Sequence, residues 1–164
     1  MTEPATNQQQ GDKQVAIQRI YVKDVSFEAP NSPEIFRTQG EPTNNFNLNT
    51  AAKKIEENLY EVTLTLTFTV KVGEKTAYLI EVQQAGLFVF TGFNEQEMGL
   101  MLGAYAPNQL FPYAREMVTD LVNKGSFPQM VLQPINFEAV YMQQQQHRAQ
   151  QAQAQGQAET PATH

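Results

Sequence analysis

Side chains able to do covalent chemistry are few in this chain and poorly placed for it. Both histidines, His147 and His164, fall in or at the edge of a Gln- and Ala-rich C-terminal stretch, and there is no cysteine. A folded body without either offers no Ser–His or Cys–His pair and loses most zinc geometries, because an imidazole or a thiolate must supply the base or the ligand. Carboxylates remain: Glu56 beside Glu57, Glu95 with Glu97, and Glu81 on a strand. A general acid needs a partner or a dry pocket to move its pKa, and these positions read instead as solvated surface acids. No Gly-rich phosphate loop, EF-hand or Walker pattern occurs, and Gly99 and Gly103 in a helical stretch are too weak a pattern to stand for one. The expectation is a protein that is not an enzyme and needs neither cofactor nor metal.

The elements around these residues are clearer than the residues themselves. From Leu59 to Phe90 the chain reads as two long strands, each with one apolar face and one polar face. Tyr60, Val62, Leu64, Leu66, Phe68, Val70 and Val72 take one side, while Glu61, Thr63, Thr65, Thr67, Thr69 and Lys71 take the other. A second run puts Tyr78, Ile80, Val82 and Gln84 on the apolar side and Ala77, Leu79, Glu81 and Gln83 on the polar side. Period two with one apolar face predicts two strands of an antiparallel sheet that is covered on one side and open on the other. Directly opposite residues of a hairpin share a face, so keeping even residues inward requires an odd connection, Gly73 to Lys75, or a bulge.

With 164 residues and 41% hydrophobic content the chain holds one ordinary core, and no apolar stretch reaches the length of a membrane span. The N-terminus has no charged start followed by an apolar run, so the cytoplasm is the default compartment. A formal charge of −6 without a basic stripe argues against nucleic acid and against stable binding to anionic membranes, and it favours basic partners. The same charge could also serve only to keep the protein soluble.

Along the chain, residues 1–14 read as a disordered tail, 15–142 as the folded domain and 143–164 as a Gln/Ala-rich tail, a solvated helix or disordered. Ala16 to Phe27 read as a strand, 34–45 as an exposed crossing loop, and Phe46 with Leu48 as the start of another strand. Asn94 with Glu97 has the spacing of a capping box for a short helix that Gly103 weakens or ends. Asn108 is placed to cap a main helix with Leu110, Ala114, Met117, Val118, Leu121 and Val122 on one stripe, Pro112 in its first turns and Gly125 as its stop. Asn136 is placed to cap a last helix through Phe137, Val140 and Tyr141.

The strings IQRIYVKDVSFEAPNSP (Ile17–Pro33), EVQQAGLF (Glu81–Phe88), LGAYAPNQLFPYARE (Leu102–Glu116), GSFPQ (Gly125–Gln129) and PINFEA (Pro134–Ala139) resemble the SecB family of bacterial protein-export chaperones, in order, over about residues 15–142. The resemblance implies an α+β subunit, a four-stranded antiparallel sheet with a long helix on one face and a second C-terminal helix, assembled as a homotetramer, a dimer of dimers. It implies the holding of newly made precursor proteins in an unfolded, export-competent state and their delivery to the SecA ATPase, without cofactor. On the matching positions it implies a SecA contact, through a small basic tail of SecA, at Asp24 and Glu28 on the first strand and Leu79 and Glu81 on the third. It implies a client groove among Phe46, Leu48, Tyr60, Met98, Met101, Phe137, Tyr141 and Met142, and support of the oligomer by Ile80, Val82 and Gln84. Gly40 stands where an aromatic is common in the family and Asn44 where an aliphatic is, which puts the contribution of the crossing loop in question. The rival from another class is an acidic oligomeric adaptor that binds a single folded partner.

Overall fold

The computed structural model describes residues 11–158. Four antiparallel strands form one sheet: β1 (Gln14–Glu28), β2 (Pro42–Glu56), β3 (Leu59–Val72) and β4 (Lys75–Thr91), in the spatial order β1-β4-β3-β2. The expected tail over 1–14 falls largely on residues outside that range, and Gln14 already belongs to β1. Leu79 and Glu81 lie on the fourth strand rather than a third. The reason is that the stretch after Leu48 continues as strand to Glu56 before turning at Asn58, which adopts a positive φ of 63°.

Even residues of β3 and β4 face inward as their alternation requires: Val62, Leu64, Leu66 and Val82 are fully buried. Gly73 and Glu74 make a two-residue turn, and a bulge restores the parity, since Lys71 pairs with Thr76 while Val70 pairs with Tyr78. Ala77, expected on the polar side, is the extra residue and is buried with only 2% exposed. Two further bulges bend β1, at Gln18 and Lys23. The segment between β1 and β2 crosses from one edge of the sheet to the other. It is less open than expected, because a 3-10 turn, Glu34–Arg37, buries Ile35 and Asn31 Nδ2 donates to the Thr76 carbonyl at 2.9 Å.

Asn94 caps helix α1 (Glu95–Leu100): Glu97 N–H donates to its Oδ1 at 2.9 Å and Glu97 Oε2 accepts from its N–H at 3.1 Å. Gly103 does not end the helix. The chain passes through a π turn (Met101–Tyr105) straight into α2 (Ala106–Lys124), with Ala106 N–H bonded to the Met101 carbonyl. Pro107, which has no N–H and crowds the carbonyl four residues back, accounts for the widened turn. Asn108 is therefore an interior residue of α2 and not its cap. At the other end Ser126, with φ 61°, takes the left-handed position, and Phe127 N–H reaches the Val122 carbonyl at 3.2 Å. Gly125 has an ordinary φ of −74° and is required for space instead, because a Cβ there would sit 2.9 Å from Phe127 Cδ2 and overlap the ring of Phe27.

Helix α2 crosses the inner face of β3 and β4 and buries Leu110, Ala114, Val118 and Val122. Each such aliphatic side chain removed from water contributes roughly 1.5–3 kcal/mol, which makes this layer the main source of stability. The helix leaves most of the inner face of β1 uncovered, with Ile20 and Phe27 alone of that strand packed against the core. On the inner face of that edge strand Val15, Ile17, Val22 and Val25 remain 41%, 38%, 41% and 40% exposed. Asn136 Oδ1 accepts from Ala139 N–H at 3.0 Å and caps α3 (Phe137–Ala158), which extends through most of the Gln/Ala-rich stretch. Among the described residues no helix is long and apolar enough to cross a membrane.

Candidate functional site

The crossing segment and the segment after α2 meet over one end of the sheet and enclose a cleft of about 560 Å³. Thr119 Oγ1 helps to hold the second segment against α2 by donating to the Met130 carbonyl at 3.3 Å. Aromatic rings form the cleft. Phe127 lies 4.6 Å from Tyr78 and 5.1 Å from Phe36, and Phe27 stacks on Tyr78 at 6.1 Å. Burial pushes the Tyr78 phenol pKa up, so this group stays neutral. Phe36 is 51% exposed although it is a large apolar residue, which makes the rim of the cleft adhesive.

The cleft opens onto the inner face of β2, where Asn44, Phe46, Leu48, Thr50 and Ala52 point the same way. Asn44 to Ala52 is eight residue steps, a lane of about 27 Å at ~3.4 Å per step. Phe46 is 39% exposed and lies 5.9 Å from Phe68. At the far end Thr50 and Ala52 line a smaller cleft together with Leu102, Gly103, Tyr141 and Arg148. Because β2 is an edge strand, the lane is open along its side.

Of the residues expected in a client groove, Phe46 and Leu48 lie on this lane, and Tyr60 lies on the same face of β3, its ring 6.2 Å from Phe90. Met98 and Met101 are half-buried on α1 and the π turn. Phe137 is buried, set edge-on to Phe111 at 5.6 Å, and anchors α3; it also borders a third cleft with Met101 and Tyr105. Met142 is 55% exposed on α3. Tyr141 lies across Gly99 and Gly103, the pair that has no recognisable motif in the sequence. Phe36, Tyr78 and Phe127 were missed as cleft residues. Phe36 sits beside Ile35 in an otherwise polar loop, and nothing local pairs it with a phenylalanine far along the chain.

The outer face carries a different surface. The bulge at Lys23 sets the parity of the end of β1, so that Asp24, Ser26 and Glu28 lie opposite Gln83, Glu81 and Leu79. The four residues expected to contact SecA thus share one face, with Ile80, Val82 and Gln84 directly beneath, facing α2 and buried. Asp24, Glu28 and Glu81 take part in no ion pair among the described residues; Glu81 only accepts from Gln83 Nε2 at 3.2 Å. Glu61, on the same face, behaves otherwise. Lys23 Nζ donates to it, and this bond, with a second from Tyr21, holds its carboxyl below the usual range. Burial, reinforced by the bond to Glu61, pushes the Tyr21 phenol up. One end of the outer face is therefore internally neutralised, while the Asp24–Glu81 end leaves its negative charge uncompensated.

His147 is exposed on α3, and His164 lies outside the described residues. Among the described residues no group of three or more His, Asp or Glu side chains is close enough to hold a metal ion.

A model of the family described as preprotein translocase subunit SecB matches residues 7–148. The protein-export protein SecB of Methylococcus capsulatus is 61% identical over 145 residues, covering 88% of this chain and 94% of that one. The SecB of Marinobacter nauticus is 52% identical over 160 residues, covering 98% and 96%. Among solved structures, a SecB-like chaperone of Mycobacterium tuberculosis, in complex with a peptide from an antitoxin, superposes with a TM-score of 0.61 at 16% identity, over 74% of this chain and 90% of that one. At that identity the likeness is one of fold.

Proposed function

The chain belongs to the SecB family of protein-export chaperones, and from that premise we propose that it captures newly made precursor proteins in the cytoplasm by laying an extended segment along the inner face of β2. The observation that carries this reading is the lane itself: Phe46, Leu48 and Ala52 on a face that repeats every second residue, an aromatic cleft at its start, and an open side through which a continuous chain can enter. An extended segment places alternate side chains on one face, so the floor matches the period of its ligand without requiring a particular sequence. Aromatic rings that stack on one another without filling the cleft accept side chains of differing shape.

The unpaired acids Asp24, Glu28 and Glu81, with Leu79 between them, support a second part of the proposal, delivery to SecA through a basic segment that docks on the outer face. Complementary charge speeds such an encounter and gives it orientation, while the client stays on the opposite side of the sheet. The uncovered apolar face of β1 supports assembly with further copies into the homotetramer. No covalent step enters this scheme.

The test is whether the purified protein, in stoichiometric amounts and without ATP, blocks refolding of several unrelated denatured proteins. Phe127→Ala should weaken that capture by about 2 kcal/mol, the magnitude of an interface anchor. Binding of one folded partner only, with no effect on refolding, would favour the adaptor reading instead.

A further inference from the structure

Helix α3 is fastened at its beginning and nowhere else among its described side chains. Asn136 caps it, Phe137 is 3% exposed against Phe111, and Tyr141 is half-buried, while every side chain from Met142 to Gln153 is exposed. What receives Tyr141 is unusual. Gly99 and Gly103 stand one turn apart on the continuous helix that begins with α1, and the phenol ring lies directly on their backbone. A Cβ on Gly103 would sit 2.7 Å from Tyr141 Cε2, and one on Gly99 would overlap the hydroxyl oxygen. No side chain can occupy either position while the ring is there. The two glycines are costly in a helix, and the space they open is filled by this one residue.

Seated in this way, Tyr141 sets where the rest of α3 runs. With Gln144, Gln145 and Arg148 it closes a cleft whose other wall is Thr50 and Ala52 of β2. That wall is the far end of the lane. We propose that Tyr141, seated on Gly99 and Gly103, is a specificity-determining residue that sets the length of the client segment the lane accepts. With the ring in place the lane ends at Thr50 and Ala52, the residues that share the cleft with it. With the ring displaced, α3 pivots about Phe137 and the inner face of β2 is open as far as Lys54. The inference rests on the lane being the client site.

Gly103→Ala is the decisive variant, because a methyl group takes the place of the ring while alanine suits the helix better than glycine. Tyr141→Ala removes the ring from the other side, and Tyr141→Phe keeps it. Release of α3 is read by trypsin cleavage after Arg148, which should be faster in Gly103→Ala and Tyr141→Ala and unchanged in Tyr141→Phe. Client length is read with two labelled peptides of alternating Leu and Thr, of about five and about eleven residues. Both releasing variants should bind the longer peptide about tenfold more tightly, as expected if about a tenth of the native molecules are already open. The shorter peptide should bind as before, and Tyr141→Phe should match the native protein for both. Unchanged cleavage, equal gains for the two peptides, or faster cleavage with no gain for the longer one would each overturn the proposal. If the native protein binds neither peptide, the lane reading falls and this proposal with it; if it binds both and the variants do not differ from it, only the role of Tyr141 falls.

Discussion

Glu81 and Val82 are neighbours on β4, yet they belong to surfaces with opposite physics. Val82 points under α2 and is fully buried, whereas Glu81 points into water on a face lined by threonines, asparagines and acids. Stability is concentrated on the inner side, where α2 and the sheet exclude water from Leu64, Leu66, Ile80 and Leu110. The outer side contributes little to the fold and is correspondingly free to carry charge for a partner. A sheet covered on one side only can hold two functions without either constraining the other.

Breaking the contrast from the inside gives the largest expected effect. Val82→Arg places an unpaired charge beneath α2 and should cost at least about 4 kcal/mol, a large fraction of the stability of a domain; urea denaturation followed by circular dichroism measures it. From the outside, Glu81→Lys should leave that denaturation curve unchanged. It should weaken binding to SecA by on the order of 2 to 5 kcal/mol, read by calorimetric titration. Equal affinity for native protein and variant would remove the acidic face from the SecA contact.

The outer face can also be divided against itself. Glu61 has a lowered pKa because Lys23 and Tyr21 donate to it, so its contribution to stability is present above the ordinary carboxylate range. It is lost as the pH falls through the lowered value. In a plot of melting temperature against pH, Glu61→Gln should therefore lower the melting temperature across the neutral region and leave the acid end, where Glu61 is already protonated, nearly unchanged. Smallest of all, ending the chain after Gln146 removes side chains that are exposed wherever they are described, and it should shift the melting temperature by under about 2 °C.

The two faces were also unequally legible. The inner face of β3 and β4 could be read residue by residue, because a pleated strand translates burial directly into alternation. The caps at Asn94 and Asn136 were readable for the same reason, being rules of short range. On β1 the alternation fails: bulges at Gln18 and Lys23 each shift the parity, so Ile17, Ile20, Val22 and Val25 share a face that their spacing does not suggest. Asp24 and Glu28 could still be placed together, since no bulge separates them. Gly103, read as a helix end, disguised a continuous helix as two, and made Asn108 look like a cap. The aromatic cleft was hidden most completely, since Phe36 and Phe127 meet only after the crossing segment and the end of α2 have been brought together.

The uncovered stripe on β1 has a consequence for how such a molecule comes into being. A lone protomer displays Val15, Ile17, Val22 and Val25 on an open edge strand, the kind of surface by which unfinished proteins stick to one another. In the homotetramer proposed above its own copies cover that strand, and until they do a freshly synthesised subunit is a candidate for the treatment it exists to give. Assembly is then a race against self-capture. The abundance of the protein, rather than the stability of any single subunit, decides how often the race is won.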